Sequence, residues 1–179
     1  GTSIPGLDMG GSYIKLNDDG SINIMYGGTD LGTGADTVIG QIAAETIGLT
    51  MDKVNVYAAD TDITPFDVGA YASSTSFISG NAVRKTAEKV RDMIYDRAAI
   101  LLECSREELT SHDNEIFAKD GRSISIEKVA LHSLHTHDQH QIMATASHIA
   151  HTAPPSFGAQ FAEVEVDIET GQVTVKQLT

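Results

Sequence analysis

TDITPFDVGAYASSTSFISGNAVR, residues 61–84, is the stretch on which the reading of the fold turns. It begins polar and turn-rich, with Asp60 just ahead of it and Asp62, Pro65 and Asp67 inside it. It then passes through Gly69-Ala70-Tyr71-Ala72-Ser73-Ser74-Thr75 and enters a pattern with helical spacing. Small residues at a loop-to-helix junction let a ligand approach the backbone closely. The first N–H groups of a helix lack internal partners and carry partial positive charge, so such a junction suits a phosphate or pyrophosphate. Ser and Thr are also the preferred capping residues, and an ordinary N-cap accounts for the same letters. The residues alone leave both readings open.

Working outward, the spacing predicts a long helix from about residue 75 or 77 to 104, with Val83, Ala87, Val90, Ile94, Ala98 and Leu101 on one face. Gly80 inside it is costly for a helix and points to close packing or the close approach of a partner. Upstream, residues 12–18 (SYIKLND) alternate as a half-buried strand does, Asp19-Gly20 is a hairpin signal, and residues 21–26 (SINIMY) return. The loop GGTDLGTGADT, residues 27–37, leads into Val38, Ile39, Ile42, Ala43, Thr46 and Ile47 at helical spacing, with Gly48 as the stop. Residues 53–58 (KVNVYA) form the next strand. The order strand–strand–helix–strand predicts an α+β fold of mixed sheets with hairpins and two main helices.

Downstream, Ser105 and Glu108 have capping-box spacing and predict a short helical turn with Leu109 inward. Residues 115–118 and 122–124 flank Asp120-Gly121 as a small hairpin, and residues 125–134 read as a short amphipathic helix. A strand over 141–150 is broken by Pro154-Pro155; residues 160–167 and 172–178 alternate around Thr170-Gly171 as a last hairpin. The 179 residues suit one domain, or two small subdomains of about 1–104 and 105–179. The chain opens in a glycine-rich loop and stops inside a strand pattern, so it reads as a piece of a longer protein whose open last strand favours self-association.

A 41% hydrophobic content supports a packed core. The net charge of −13 argues against a nucleic-acid or anionic-membrane partner, so an anion must be held by backbone N–H groups or a few side chains. The single cysteine, Cys104, leaves no internal disulfide and reads as a small buried apolar residue. With no apolar run long enough for a span and no signal peptide, a cytoplasmic setting is expected. The histidines of HTHDQH, 135–140, straddle a helix end and a polar loop and read as solvated; His148 and His151 do not read as a ligand pair. Asp60, Asp62 and Asp67 lack the glycine and terminal glutamate of a calcium loop and suit turn and cap duties. What remains is two glycine-and-hydroxyl loops, each before a helix, as backbone clamps on one polyanionic or highly polar ligand. A non-catalytic ligand-binding or assembly module and a plain structural domain fit the same letters.

Three long segments carry a resemblance. GTDLGTGADTVIGQIAAETIGL (28–49), ADTDITPFDVGAYASSTSFISGNAV (59–83) and FGAQFAEVEVDIETGQV (157–173) resemble, in order, the molybdenum-binding large subunit of the xanthine dehydrogenase and aldehyde oxidase family. That family also includes hydroxybenzoyl-CoA reductases and carbon monoxide dehydrogenases. The resemblance implies part of a domain enclosing a molybdopterin cofactor with molybdenum, in bacteria usually as the cytosine dinucleotide. It implies that Gly32, Thr33 and Gly34 lie against the pterin and metal region; many members carry Gln where this chain has Thr33. It implies that Tyr71, Ala72, Ser73, Ser74 and Thr75 hold the dithiolene and phosphate side, and that Gly158, Ala159 and Gln160 form a further loop near the cofactor. The family hydroxylates a heterocycle or aldehyde carbon with water-derived oxygen. It passes electrons to iron–sulfur centres and often FAD, on other domains or subunits. Partners implied are the rest of the large subunit, those redox domains and a small-molecule substrate. The family's general-base glutamate lies downstream of the last hairpin, so no residue here is read as catalytic or as a metal ligand, and the chain alone is expected to be inactive.

Overall fold

A computed structural model describes residues 4–179. Strands β1 (Met9–Leu16) and β2 (Ile22–Tyr26) form an antiparallel hairpin, and helix α1 (Ala35–Ile47) carries the chain to β3 (Val54–Ala58), which lies parallel to β2. Helix α2 (Thr75–Leu102) follows. After it come β4 (Leu109–His112), β5 (Glu115–Ala118), β6 (Ser123–Ser125), helix α3 (Ile126–His135) and β7 (Met143–Ile149). The chain ends in β8 (Ala162–Val166) and β9 (Val173–Leu178). The main sheet has the order β3-β2-β1-β7, so it takes a strand from each side of the long helix; β4-β5-β6 and β8-β9 are separate antiparallel sheets. This is the expected α+β class.

Alternation decides which sheet face is buried. Ile14, Leu16, Ile22, Ile24 and Tyr26 point inward and are sealed against Ile39, Ala43 and Ile47 of α1 and Val83, Ala87, Val90, Ile94 and Ala98 of α2. Burying each large aliphatic side chain contributes about 1.5–3 kcal/mol. Gly80 lets the two helices meet, since a Cβ there would stand 2.9 Å from Ile42 Cδ1. Gly48 ends α1 in the left-handed region at φ 92° and returns its N–H to Ala44. Ser125 caps α3 by accepting from the Lys128 N–H at 3.3 Å.

Three features differ from expectation. Of the glycine-rich opening, residues 1–3 lie outside the described residues, but Gly10 and Gly11 are strand rather than loop. β1 extends to Met9 because glycine lets neighbours close in: a Cβ on Gly10 would meet Ser79 Cα at 3.0 Å, and one on Gly11 would meet Pro65 Cβ at 3.0 Å. The turn after α2 is a 3₁₀ turn, Arg106–Glu108, with the capping box in place; Leu109 is buried but opens β4. Its sequence LTSH has no period-2 apolar signal, and the strand is set instead by the left-handed pair Asp113 and Asn114 (φ 50° and 65°) that turns it into β5. The last hairpin forms as read, pairing Val164 with Val175 and Val166 with Val173, but residues 155–179 are exposed on both faces. Its alternation marks an apolar face that no described residue covers.

The HTHDQH loop is exposed and anchored from beneath. Arg97 on α2, 5% exposed, donates to Asp138 Oδ1 and Oδ2 at 3.1 and 3.0 Å and meets His140 Nδ1 at 3.0 Å. The guanidinium first, then the Thr136 hydroxyl, hold the Asp138 carboxyl well below the usual aspartate range. A depressed carboxylate stabilises the fold fully above its unfolded pKa, about 3.9, and loses that contribution as pH falls through the folded value. Asp138→Asn should therefore lower the melting temperature at pH 7, and the gap to the native chain should close on acidification below about pH 4. Thermal melts across that window check it; a gap independent of pH would contradict it. For the uncovered hairpin, light scattering should show concentration-dependent association that Val175→Lys reduces; a strict monomer at all concentrations would contradict it, because an isolated apolar hairpin face seeks cover.

Candidate functional site

The β2–α1–β3 unit places two loops at one end of the sheet. Loop 27–34 leaves the carboxyl end of β2, and loop 59–74 leaves the carboxyl end of β3. Ligands of open sheets bind outside the carboxyl ends of parallel strands. Between the loops is an open cleft of about 420 Å³, walled by Thr29, Leu31 and Thr33 on one side and by residues 70–76 on the other. Thr29 also borders a second cleft of about 430 Å³ formed by Gly27, Ala59, Thr61 and residues 64–69.

Loop 59–74 lies across a floor without side chains. Asp67 bridges to Gly10 of β1, takes the Gly69 N–H at 2.9 Å and accepts from the Ser79 hydroxyl on α2 at 2.7 Å. A Cβ on Gly27 would stand 2.2 Å from the Pro65 carbonyl oxygen. Asp60 turns the loop's start by accepting the Asp62 N–H on Oδ1 at 3.0 Å and the Thr64 N–H on its carbonyl at 2.8 Å. Tyr71 donates its hydroxyl to the fully buried Asp8. That bond, then loss of hydration and the Asp8 and Asp67 charges, push the Tyr71 phenol up.

Ala72 and Ser73 then take left-handed conformations, φ 50° and 53°, before the chain enters α2. The ordinary N-cap is not made: Ser74 has helical dihedrals and no side-chain cap bond. Among the described residues, the N–H groups of Thr75, Ser76 and Phe77 have no acceptor; the first helical bond is Ile78 N–H to the Ser74 carbonyl at 2.7 Å. Two of these three residues, Thr75 and Ser76, line the cleft with small side chains at the positive end of a 28-residue helix.

The other wall has the opposite character. The Asp30 carboxylate accepts from the N–H groups of Gly32, Thr33 and Gly34 at 2.8, 2.9 and 3.2 Å, and from that of Asp36 at 3.5 Å. Partial burial pushes the Asp30 carboxyl up, but the N–H groups of Gly32, Asp36, Thr33 and Gly34 outweigh it and hold it below the ordinary value. Asp36 in turn accepts from the buried Tyr26 hydroxyl. Burial first, then that bond, push the Tyr26 phenol far up. The expected pair of backbone clamps is thus one open clamp and one closed on its own carboxylate.

The structure brings Thr33 and Tyr71, Ala72, Ser73, Ser74 and Thr75 to one cleft. Gly32 and Gly34 shape the turn behind Thr33 at φ 88° and 74°. Gly158, Ala159 and Gln160 are exposed between β7 and β8 and line neither cleft. Asp8, Asp30 and Asp67 do not stand out in the sequence as site residues; Asp30 carries a signal, an aspartate two residues before a glycine, which suits an Asx turn. No group of three His, Cys, Asp or Glu able to hold a metal occurs among the described residues, and none of their helices is long and apolar enough to cross a membrane.

A mixed sheet with helix-end donors and small residues at the carboxyl ends of its parallel strands is an arrangement suited to binding a ligand with an anionic group. This chain belongs to the molybdopterin cofactor-binding domain family, whose model matches residues 2–179. It is 35% identical over 178 residues to the xanthine dehydrogenase molybdenum-binding subunit of Escherichia coli O157:H7, covering 97% of this chain and 24% of that protein. The nicotine 6-hydroxylase large subunit of Paenarthrobacter nicotinovorans is 29% identical over 121 residues, 66% of this chain and 15% of that one. The quinoline 2-oxidoreductase of Pseudomonas putida 86 shares the fold with a TM-score of 0.77 at 23% identity, over 97% of this chain and 23% of that chain. The chain thus spans about a quarter or less of the length of these relatives.

The glycine floor is testable directly. Gly27→Ala should destabilise the chain by about 1–3 kcal/mol, the range for a forced contact, whereas Gly158→Ala, with nothing near its Cβ position, should be neutral. Urea denaturation of the two variants checks this; equal midpoints would contradict it.

Proposed function

We propose that the chain is the part of a molybdenum hydroxylase that holds the phosphate-bearing side of its molybdopterin. The observation that carries this reading is the unpaired N–H groups of Thr75 and Ser76, whose residues line the cleft with Ala72 and Ser73, in a chain of this family. With a net charge of −13 and no Lys or Arg lining the cleft, backbone donors are the means of holding an anion. A helix N-terminus contributes about 0.3–1 kcal/mol at exposed sites and up to ~2 when partly buried, with charge-assisted hydrogen bonds in addition. The residues fit such a group: the donors are unpaired, and the small side chains before them leave room.

Thr33 faces the same cleft from the other wall and supplies one short hydroxyl toward the pterin side. Gly158, Ala159 and Gln160 reach the cofactor in this reading only when neighbouring segments fold the 155–161 stretch over it. When bound, the cofactor, in its cytosine dinucleotide form, supplies two-electron oxidation of a heterocycle or aldehyde carbon with oxygen from water. The chain's own residues bind and orient it. The general base, the iron–sulfur and FAD groups and the substrate pocket belong to other segments or subunits of a cytoplasmic enzyme, and the chain alone is inactive.

Backbone recognition makes a definite prediction for the complete subunit. Ser73→Ala should retain most of the molybdenum, while Ala72→Trp should lose most of it by filling the cleft. Molybdenum per subunit by mass spectrometry, with folding followed by circular dichroism, checks both. A folded Ala72→Trp subunit with full molybdenum would overturn the reading.

A further inference from the structure

The two walls of the cleft are built from the same parts, a loop and a helix start, yet only one is open. At α1 the amide groups of residues 32–34 and 36 converge on Asp30. Three of the four bonds go to a single oxygen, Oδ1, and the longest goes to Oδ2. A ring of convergent N–H groups at a helix start is the geometry that binds phosphate; here a side chain of the loop already fills it. The neighbouring Asp36 carboxylate, held by Tyr26, adds a second negative charge at the same place.

We propose that Asp30 is a positioning residue that fixes the direction of the ligand in the cleft. Its carboxylate occupies the amide ring of α1, denies that ring to the ligand's phosphate, and holds Thr33 at the facing wall. The anionic end of the ligand is thereby left one set of backbone donors, residues 75–77 of α2. This rests on the reading that the α2 wall receives the phosphate.

The test uses the full chain, isotope-labelled for NMR, with inorganic pyrophosphate as the probe. In the native chain pyrophosphate should shift the amide signals of residues 75–77 and leave those of 32–34 in place. Asp30→Ala should speed amide exchange at Gly32, Thr33 and Gly34 by about tenfold or more, the loss of charge-assisted bonds. It should also admit pyrophosphate to residues 32–36. Asp30→Asn keeps Oδ1 as an acceptor but turns an N–H toward Asp36; it should keep slow exchange at 32–34 and speed it at Asp36 alone. That rescue separates a positioned acceptor from a general loss of structure. Should Asp30→Ala not fold, the Asn variant still decides: unchanged exchange at Asp36 overturns the inference. So does unchanged exchange at 32–34 in a folded Ala variant, or pyrophosphate shifting 32–34 in the native chain. If native pyrophosphate shifts neither set, the α2 reading fails, and with it the steering role, while the exchange data still report whether Asp30 holds the loop.

Discussion

The site depends on backbone lying against backbone without intervening side chains. The segment after β3 must cross the end of the main sheet before it turns into α2, and it crosses at Gly10, Gly11 and Gly27. At Gly27 it comes closer than a Cβ allows, with the Pro65 carbonyl oxygen 2.2 Å from the Cβ position; Pro65 Cβ stands a tight 3.0 Å from that of Gly11, and Ser79 Cα, at the start of the helix itself, 3.0 Å from that of Gly10. Asp67 then fastens the crossing to both the strand below and the helix above. The start of α2 is fixed by this crossing, and the direction of its unpaired amides is fixed with it. The hydrophobic core explains why the helices lie on the sheet; the glycine floor explains where the helix begins.

Electrostatics follows from that geometry. A chain with a net charge of −13 has little long-range attraction for a phosphate. In the proposed reading, recognition is local and depends on dipoles and N–H groups held in place before the ligand arrives. The parallel β2 and β3 send two helix-approaching loops to one end of the sheet. Two equal donor rings facing each other across about 420 Å³ would define no direction for an anionic ligand. The carboxylate of Asp30 breaks this symmetry, and the Tyr26–Asp36 bond fixes the start of the neighbouring helix to the strand it follows.

The elements legible in the sequence are those whose cause is local. The alternation of residues 12–16 and 22–26, the 3.6-residue spacing of α1 and α2, and the left-handed stop at Gly48 are written in neighbouring letters. β4 is not legible, because LTSH carries no alternation and is made a strand by β5 and by the turn at Asp113 and Asn114. The extension of β1 over Gly10 and Gly11 is not legible either, since its cause is Ser79 and Pro65, distant in the chain. In the site, the run 71–75 and the position of Thr33 can be read, and both reach the cleft. The long-range contacts of Asp8 with Tyr71 and of Arg97 with Asp138 cannot, because no local pattern links residues so far apart.

The same distinction explains why the segment that walls the cleft reads as small residues rather than as reactive ones. A site built from side chains announces itself by chemistry, as a lysine or an arginine in a loop. A site built from backbone donors places no demand on side-chain chemistry and a strong demand on side-chain size. Ala70, Ala72, Ser73 and Ser74 satisfy that demand, and the free hydroxyls make no cap that would compete for the amides of Thr75, Ser76 and Phe77. Thr33 fits the same logic on the facing wall. There a threonine presents a short polar side chain at the cleft, with the Asp30 carboxylate behind it holding its backbone N–H at 2.9 Å.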